Sequence, residues 1–308
     1  MSVAFVHLHV HTEYSLLNGT VRIKPLVKSV AEAGMPAVAV TDQCNMFSMV
    51  KFYRAAMAAG VKPLVGVDLW VADTDDSPPA RLVLLCRNRA GYLNLTRLVS
   101  RAYIEGQQRG IPVVQHDWLA GCTDGLIALS AGRAGNVGQA LLAKKPEHAA
   151  HLLTQWLQLF PDAFYLELQR TGRAGEEDYI HAAVELAVQM DVPVVATNDV
   201  HFIKTGDFDA HEARVCINES RTLDDPRRSH EFTDQQYLRS PEEMQALFSD
   251  IPEALENTVE VARRCSLELE LGKNYLPDFP VPDGTDIDTF FIAQAEAGLA
   301  DRLPQILD

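Results

Sequence analysis

Hydrophobic positions along the chain fall into short, nearly unbroken runs separated by stretches of helical period. FVHLHV at 5–10 alternates apolar and polar residues, IKPLVKSVAEAG carries its apolar residues at helical spacing and stops at Gly34, and PAVAV then runs into Thr41-Asp42. That succession is one βαβ unit. The same order recurs with a helix ending at Gly60, the run KPLVGVDLWVA, a polar DTDDSPP loop, the run RLVLLC and the helical stretch GYLNLTRLVSRAYIEG. GLIALS follows, then two helical patterns between Asn136 and Phe160, FYLELQ, the helical EEDYIHAAVELAVQM and VPVVAT. Strands are predicted to begin at Phe5, Ala37, Lys62, Arg81, Gly125, Phe164 and Val194. Their Val/Ile/Leu content is that of parallel strands buried on both faces and joined by crossover helices. The series predicts an α/β fold that closes as a seven-stranded (β/α) barrel.

Composition narrows the class. With 308 residues, 47% hydrophobic and 22% charged, the chain has material for a large core. It contains no run of about 18 apolar residues and no basic-then-apolar leader at its start, so a cytoplasmic protein with no membrane partner is expected. Five scattered cysteines without a CxxC pair predict reduced thiols and core fillers. A formal charge of −15 repels a phosphate backbone, so strong direct DNA binding is not expected.

Barrels of this kind carry their chemistry at the C-terminal ends of the strands. There the sequence delivers His9 and His11, then Asp42 and Gln43, Arg170 and Thr171, and finally Asp199 and His201. The alternation of His7, His9 and His11 lets imidazoles share one strand face and converge on an ion. Asp68 and Arg81 lie inside strands, where a charge needs a partner. For a buried Arg81 guanidinium, Asp68 on the neighbouring strand is the first candidate, with a second acid completing a bridge.

The stretches FVHLHVHTEYSLLNG, TDQCN, KPLVGVDLWV, GLIALS, FYLELQRTG, VATNDVHF and QYLRSPEEM resemble, in order and spacing, the PHP (polymerase and histidinol phosphatase) domains that open the alpha subunits of bacterial DNA polymerase III. The resemblance implies a distorted, TIM-like barrel over residues 1–272, with 273–308 a linker and the truncated start of the polymerase palm region. It implies a place in DNA replication, with the rest of the alpha subunit and the proofreading exonuclease subunit as partners. The palm's polymerase site lies outside this piece, which is not expected to polymerise DNA. Intact members of the family hold up to three metal ions through His, Asp and Glu and hydrolyse phosphoesters. Carried over by position, His9, His11, Asp199 and His201 match ligands, with His7 a secondary candidate. Asn18, Gln43, Asp68, Arg81 and Thr171 stand where the pattern has Asp, His, Glu, His and His. Asn and Gln ligate weakly, Thr hardly at all, and Arg not at all. The expected site is therefore degraded, holding no metal or one residual divalent ion (zinc, manganese or magnesium), in a domain that scaffolds the polymerase and docks the exonuclease. The alternative is an active metal-dependent phosphoesterase or 3′–5′ exonuclease.

Other stretches read as structure. SPEEM from Ser240 is a capping box with Pro241 at the first helical position. LDDPRR at 223–228 reads as a solvated loop. His116, His148, His151, His181, His211 and His230 lack a partner at ligand spacing and are expected at the surface or in structural roles.

Overall fold

The computed structural model describes residues 5–74, 77–274 and 276–307. The chain divides into a compact unit of residues 1–268 and a second unit of residues 269–308. The first unit carries eight strands among the described residues: β1 (Ala37–Gln43), β2 (Lys62–Ala72), β3 (Ala80–Cys86), β4 (Gln107–Gln108), β5 (Ile111–Gln115), β6 (Leu126–Leu129), β7 (Phe164–Gln169) and β8 (Val194–Thr197).

β2 pairs with β1 along its first half, with β5 near its end and with β3 on its other edge; the path then continues through β6 and β7 to β8. The opening segment closes the ring without forming a regular strand. It bridges His7 to Val38 on one side and Val10 to Val200 on the other. Ala39 N donates to His7 O (2.8 Å), and His11 N donates to Val200 O (2.8 Å). Seven staves therefore form the ring, and Val6, Leu8, Val67, Leu84, Leu166 and Val195 on them are buried with essentially no exposure.

Two features depart from the expected all-parallel series. β3 runs antiparallel to both β2 and β6. The short 73–79 connection leaves no room for the crossover that a parallel return needs, so the chain reverses as a hairpin. In addition, β4 and β5 form an unanticipated small hairpin whose second strand extends the sheet beside residues 70–72 of β2.

Around the ring lie α1 (Ile23–Glu32), α2 (Met49–Ala58), α3 (Arg89–Ile104), α4 (Asn136–Leu142), α5 (Pro146–Leu159) and α6 (Glu176–Met190). α1 buries Ile23, Leu26, Val27 and Val30, the stripe that its spacing predicts. α7 (Phe208–Asn218) and α8 (Pro241–Leu247) follow; the Ser240 hydroxyl accepts from Glu243 N while Glu243 reaches back to Ser240 N (2.7 Å), completing the capping box. α9 (Pro252–Arg264) lies at the base of the ring, where Thr258 Oγ1 accepts from Val6 N (3.2 Å) and Asn257 donates to Val194 O (2.8 Å). The second unit consists of an irregular stretch and α10 (Ile287–Leu307), which has no buried residue. No described helix is long and apolar enough to cross a membrane.

Because the ring and the α9 base are complete within the first unit, a chain ending at Glu268 is expected to unfold in one cooperative thermal transition. A broad, non-cooperative loss of ellipticity on calorimetry and circular dichroism would show that the core needs residues 269–308.

Candidate metal centre

Three imidazoles and two carboxylates meet inside the upper end of the ring. His9 Nε2 lies 3.1 Å from His11 Nε2 and 3.1 Å from Asp68 Oδ2, and His11 Nε2 lies 3.3 Å from the same oxygen. Asp199 Oδ1 approaches from the opposite stave, 3.6 Å from His9 Nε2, 3.5 Å from His11 Nε2 and 3.2 Å from His201 Nε2. Asp199 takes a left-handed backbone (φ 43°), a conformation that Asp tolerates better than most residues. The His11 and His201 rings stack at 4.3 Å.

The outer nitrogens fix which way each ring faces. His9 Nδ1 donates to Glu167 Oε1 (2.7 Å), and His201 Nδ1 donates to the Asn18 carbonyl (3.2 Å). His11 Nδ1 meets Ser15 Oγ (3.1 Å), whose own proton goes to Asp42 Oδ1 (2.9 Å), so the imidazole donates. Each neutral ring therefore turns an Nε2 lone pair inward, the carboxylate–histidine arrangement that orients metal ligands. Lone pairs about 3 Å apart repel unless a cation lies among them. A tetrahedral ion with bonds of about 2.0–2.1 Å keeps its ligands about 3.3–3.4 Å apart, so this donor set fits one ion. His9, His11 and Asp68 form one three-donor group, and His11, Asp199 and His201 form another.

A proton is the competing cation. Burial opposes charge on His9, but the charge and hydrogen bond of Glu167 outweigh it and raise the pKa of His9. Burial pushes His11 down to about 4 and His201 to about 3. Asp199 is also buried, yet a proton on any of the neighbouring imidazoles, His201 foremost, attracts its carboxylate and holds it well below the usual carboxylate range.

Two guanidiniums cap the carboxylates from outside. Arg81 Nε donates to Asp68 Oδ1 (2.8 Å) and its Nη2 donates to Asp68 Oδ2, while its head lies 4.8 Å from the Trp70 ring. Gln43, its amide oxygen turned inward, accepts from Trp70 Nε1 (2.9 Å) and Arg81 Nη1 (3.2 Å). Arg173, in the turn after β7, donates through Nη1 to Asp199 Oδ2 (3.3 Å), through Nη2 to Gln169 Oε1 (2.7 Å) and through Nε to Glu176 Oε1 (3.0 Å). A cavity of about 300 Å³ opens above, lined by His9, Asn18, Gln43, Arg81, Arg173 and His201 among others.

The remaining candidates separate from this group. His7 is buried and donates through Nε2 to the Arg239 carbonyl (2.9 Å), outside either donor group. Thr171 turns to Glu176, its hydroxyl donating to Oε1 (2.6 Å). Asn18 lends its carbonyl to His201, and its Oδ1 is buried without a partner. Asp42 is spent on the 12–15 turn, accepting from Thr12 N (2.7 Å) and Ser48 Oγ (2.6 Å). Asp68 stands among the substituted positions, yet its carboxylate reaches the imidazoles. Glu167, Arg173 and Gln236 went unnoticed in the sequence. Glu167, an acid in the middle of the buried FYLELQ run, carried the same signal as Asp68; Arg173 and Gln236, in irregular segments, carried none.

A PHP domain model matches residues 7–171. DNA polymerase III subunit alpha of Pseudomonas aeruginosa is 56% identical over the whole of this chain, and that of Escherichia coli K12 is 49% identical over 97% of it. In both cases the chain spans 26% of the relative's length. Among solved structures, an amidohydrolase from Chromobacterium violaceum aligns with a TM-score of 0.43 and 14% identity over 68% of this chain and 97% of that one, a likeness too slight to carry an argument.

Removing one partner of a buried ion pair strands the other, so Arg81→Ala is expected to destabilise the chain by roughly 3 kcal/mol in denaturant titration. An unchanged midpoint would show that Asp68 needs no counter-ion. Histidines held neutral by burial give a second expectation for the chelator-treated chain. Burial holds His7 at about 4, His11 at about 4 and His201 at about 3, against 6.5 when unfolded. The unfolded state binds the extra protons, so their contribution is complete above pH 6.5 and falls as the pH drops towards 4, by about 2 kcal/mol per histidine at pH 5. His9, raised, acts in the opposite sense, while Asp199 and Glu167, lowered, add to the acid loss below the usual carboxylate range. Melting temperatures measured from pH 8 to 4 should fall on the acid side; a flat profile would contradict the neutral assignment.

Proposed function

The chain belongs to the PHP domain family, and on that premise we propose that it is the N-terminal domain of a bacterial DNA polymerase III alpha subunit, serving as a scaffold rather than as a hydrolase. The observation that carries this reading is that both carboxylates of the centre already hold a guanidinium, Arg81 on Asp68 and Arg173 on Asp199. Phosphoester hydrolysis by a metal site needs enough uncommitted positive charge to bring bound water near neutral pKa and to hold a phosphate against its leaving group. Here His9, His11, Asp68 and Asp199 would hold one divalent ion, with His201 beside them. Such an ion would supply a cross-link between staves and neutralise the lone pairs. Two imidazoles in the set favour zinc over magnesium.

The partners follow from the same premise: the remainder of the alpha subunit, and the proofreading exonuclease docked on this domain. With a formal charge of −15, the domain contributes no strong grip on DNA, and its place is the bacterial cytoplasm. The near-tetrahedral spacing of the donors is the one observation that favours the second reading, a metal-dependent phosphoesterase or 3′–5′ exonuclease.

Assaying the purified 308-residue chain with Mn²⁺ or Zn²⁺ on p-nitrophenyl phosphate and on single-stranded DNA decides between them. Scaffolding predicts negligible turnover, any trace surviving His9→Ala, and at most one ion per chain by elemental analysis. Robust turnover abolished by both His9→Ala and Asp199→Ala would establish the hydrolase.

A further inference from the structure

The two donor groups overlap at His11, and this sets a limit on how many ions they can hold. The His11 ring has a single lone pair to give, because Nδ1 is already a donor to Ser15 Oγ. A second ion beside the first would therefore draw on a carboxylate that offers one oxygen to each. Asp68 cannot serve, since its second oxygen, Oδ1, already accepts from Arg81 Nε (2.8 Å). Asp199 points Oδ1 at the imidazoles and Oδ2 outward, and Oδ2 accepts from Gln236 Nε2 (2.9 Å) and Arg173 Nη1 (3.3 Å).

Of those two donors, only Arg173 carries charge. Its guanidinium is 15% exposed and is held at its other nitrogens by Glu176 and Gln169, so it cannot swing aside without breaking both contacts. Gln236 can turn its neutral amide at small cost. Residues with oxygens suited to a hard divalent cation line the same cavity: Asn18, whose Oδ1 is buried without a partner, and Gln169, whose Oε1 Arg173 now occupies. We propose that Arg173 is a built-in cation standing where a second divalent ion would bind, and that it confines the centre to a single ion. The inference rests on the scaffold reading above and goes beyond it, assigning the limit to one residue in a turn outside the barrel staves. A guanidinium presents no lone pair and repels an approaching dication, so its presence excludes the second ion by charge as well as by space.

Titration of Mn²⁺ into the metal-stripped 308-residue chain, with bound ions counted by equilibrium dialysis and by electron paramagnetic resonance, tests this. Arg173→Gln and Arg173→Ala are expected to bind one more Mn²⁺ per chain than the wild type, with the broadened signal of a coupled pair when the count reaches two. Arg173→Lys, which keeps the charge, is expected to stay at the wild-type count. Folded Gln and Ala variants that gain no ion would overturn the proposal, as would a Lys variant that gains one equally. If both neutral variants unfold when stripped, refolding on addition of Mn²⁺ supports the proposal and failure to refold overturns it. A wild-type chain that itself binds two or more ions overturns both this inference and the scaffold reading; a wild-type count of one or none, without a gain in the variants, overturns this inference alone.

Discussion

Buried lone pairs that face one another must share a cation, and the upper half of this barrel is arranged around that requirement. Three Nε2 atoms and two carboxylates converge within about a ligand diameter, each imidazole locked from behind by Glu167, Ser15 or Asn18. The staves cannot move apart to relieve the repulsion, because Asp68 on β2, Glu167 on β7 and Asp199 beyond β8 are each fixed by the ring. Positive charge is accordingly supplied from several sources at once: a proton favoured on His9, and the guanidiniums of Arg81 and Arg173.

Those sources differ in permanence. A proton leaves as the pH rises, and a metal ion leaves to a chelator. A guanidinium does neither, since it stays charged throughout the accessible pH range. The arginines thus turn a site whose charge balance depends on its surroundings into one balanced by the chain itself. Arg81 achieves this from within a strand, where its neighbours are fixed by register and its head is sheltered by Trp70. Arg173 does so from a turn, held by Glu176 at the start of α6.

What could be read in advance follows the range of the interactions. The staves were legible because apolar runs of β-branched residues report burial on both faces locally, and the α6 limits fall where EEDYIHAAVELAVQM begins and ends. The reversed direction of β3 was not, although the brevity of the 73–79 loop contained it. At the centre, HLHVH and NDVH announced themselves by spacing. His7 shared that spacing yet donates to a carbonyl from residue 239, a partner 232 residues away in the chain. His211, expected at the surface or in a structural role, is buried against His201 and Phe232. Arg173 lies where neither periodicity nor motif speaks, and only the folded path brings it to Asp199.

Ring closure by the first residues of the chain has a consequence for biosynthesis. Val6 N finds its partner in Thr258, 252 residues further on, and the stave formed by residues 5–11 is completed only when the 198–200 segment has emerged. At translation rates of about 5–20 residues per second, the first stave waits on the order of 10–50 s outside the ribosome with the edge that meets Val200 unpaired. The barrel therefore cannot assemble stave by stave from the N-terminus. Its nascent intermediates are open sheets with one free edge on the leading segment, the kind of species that chaperones retain.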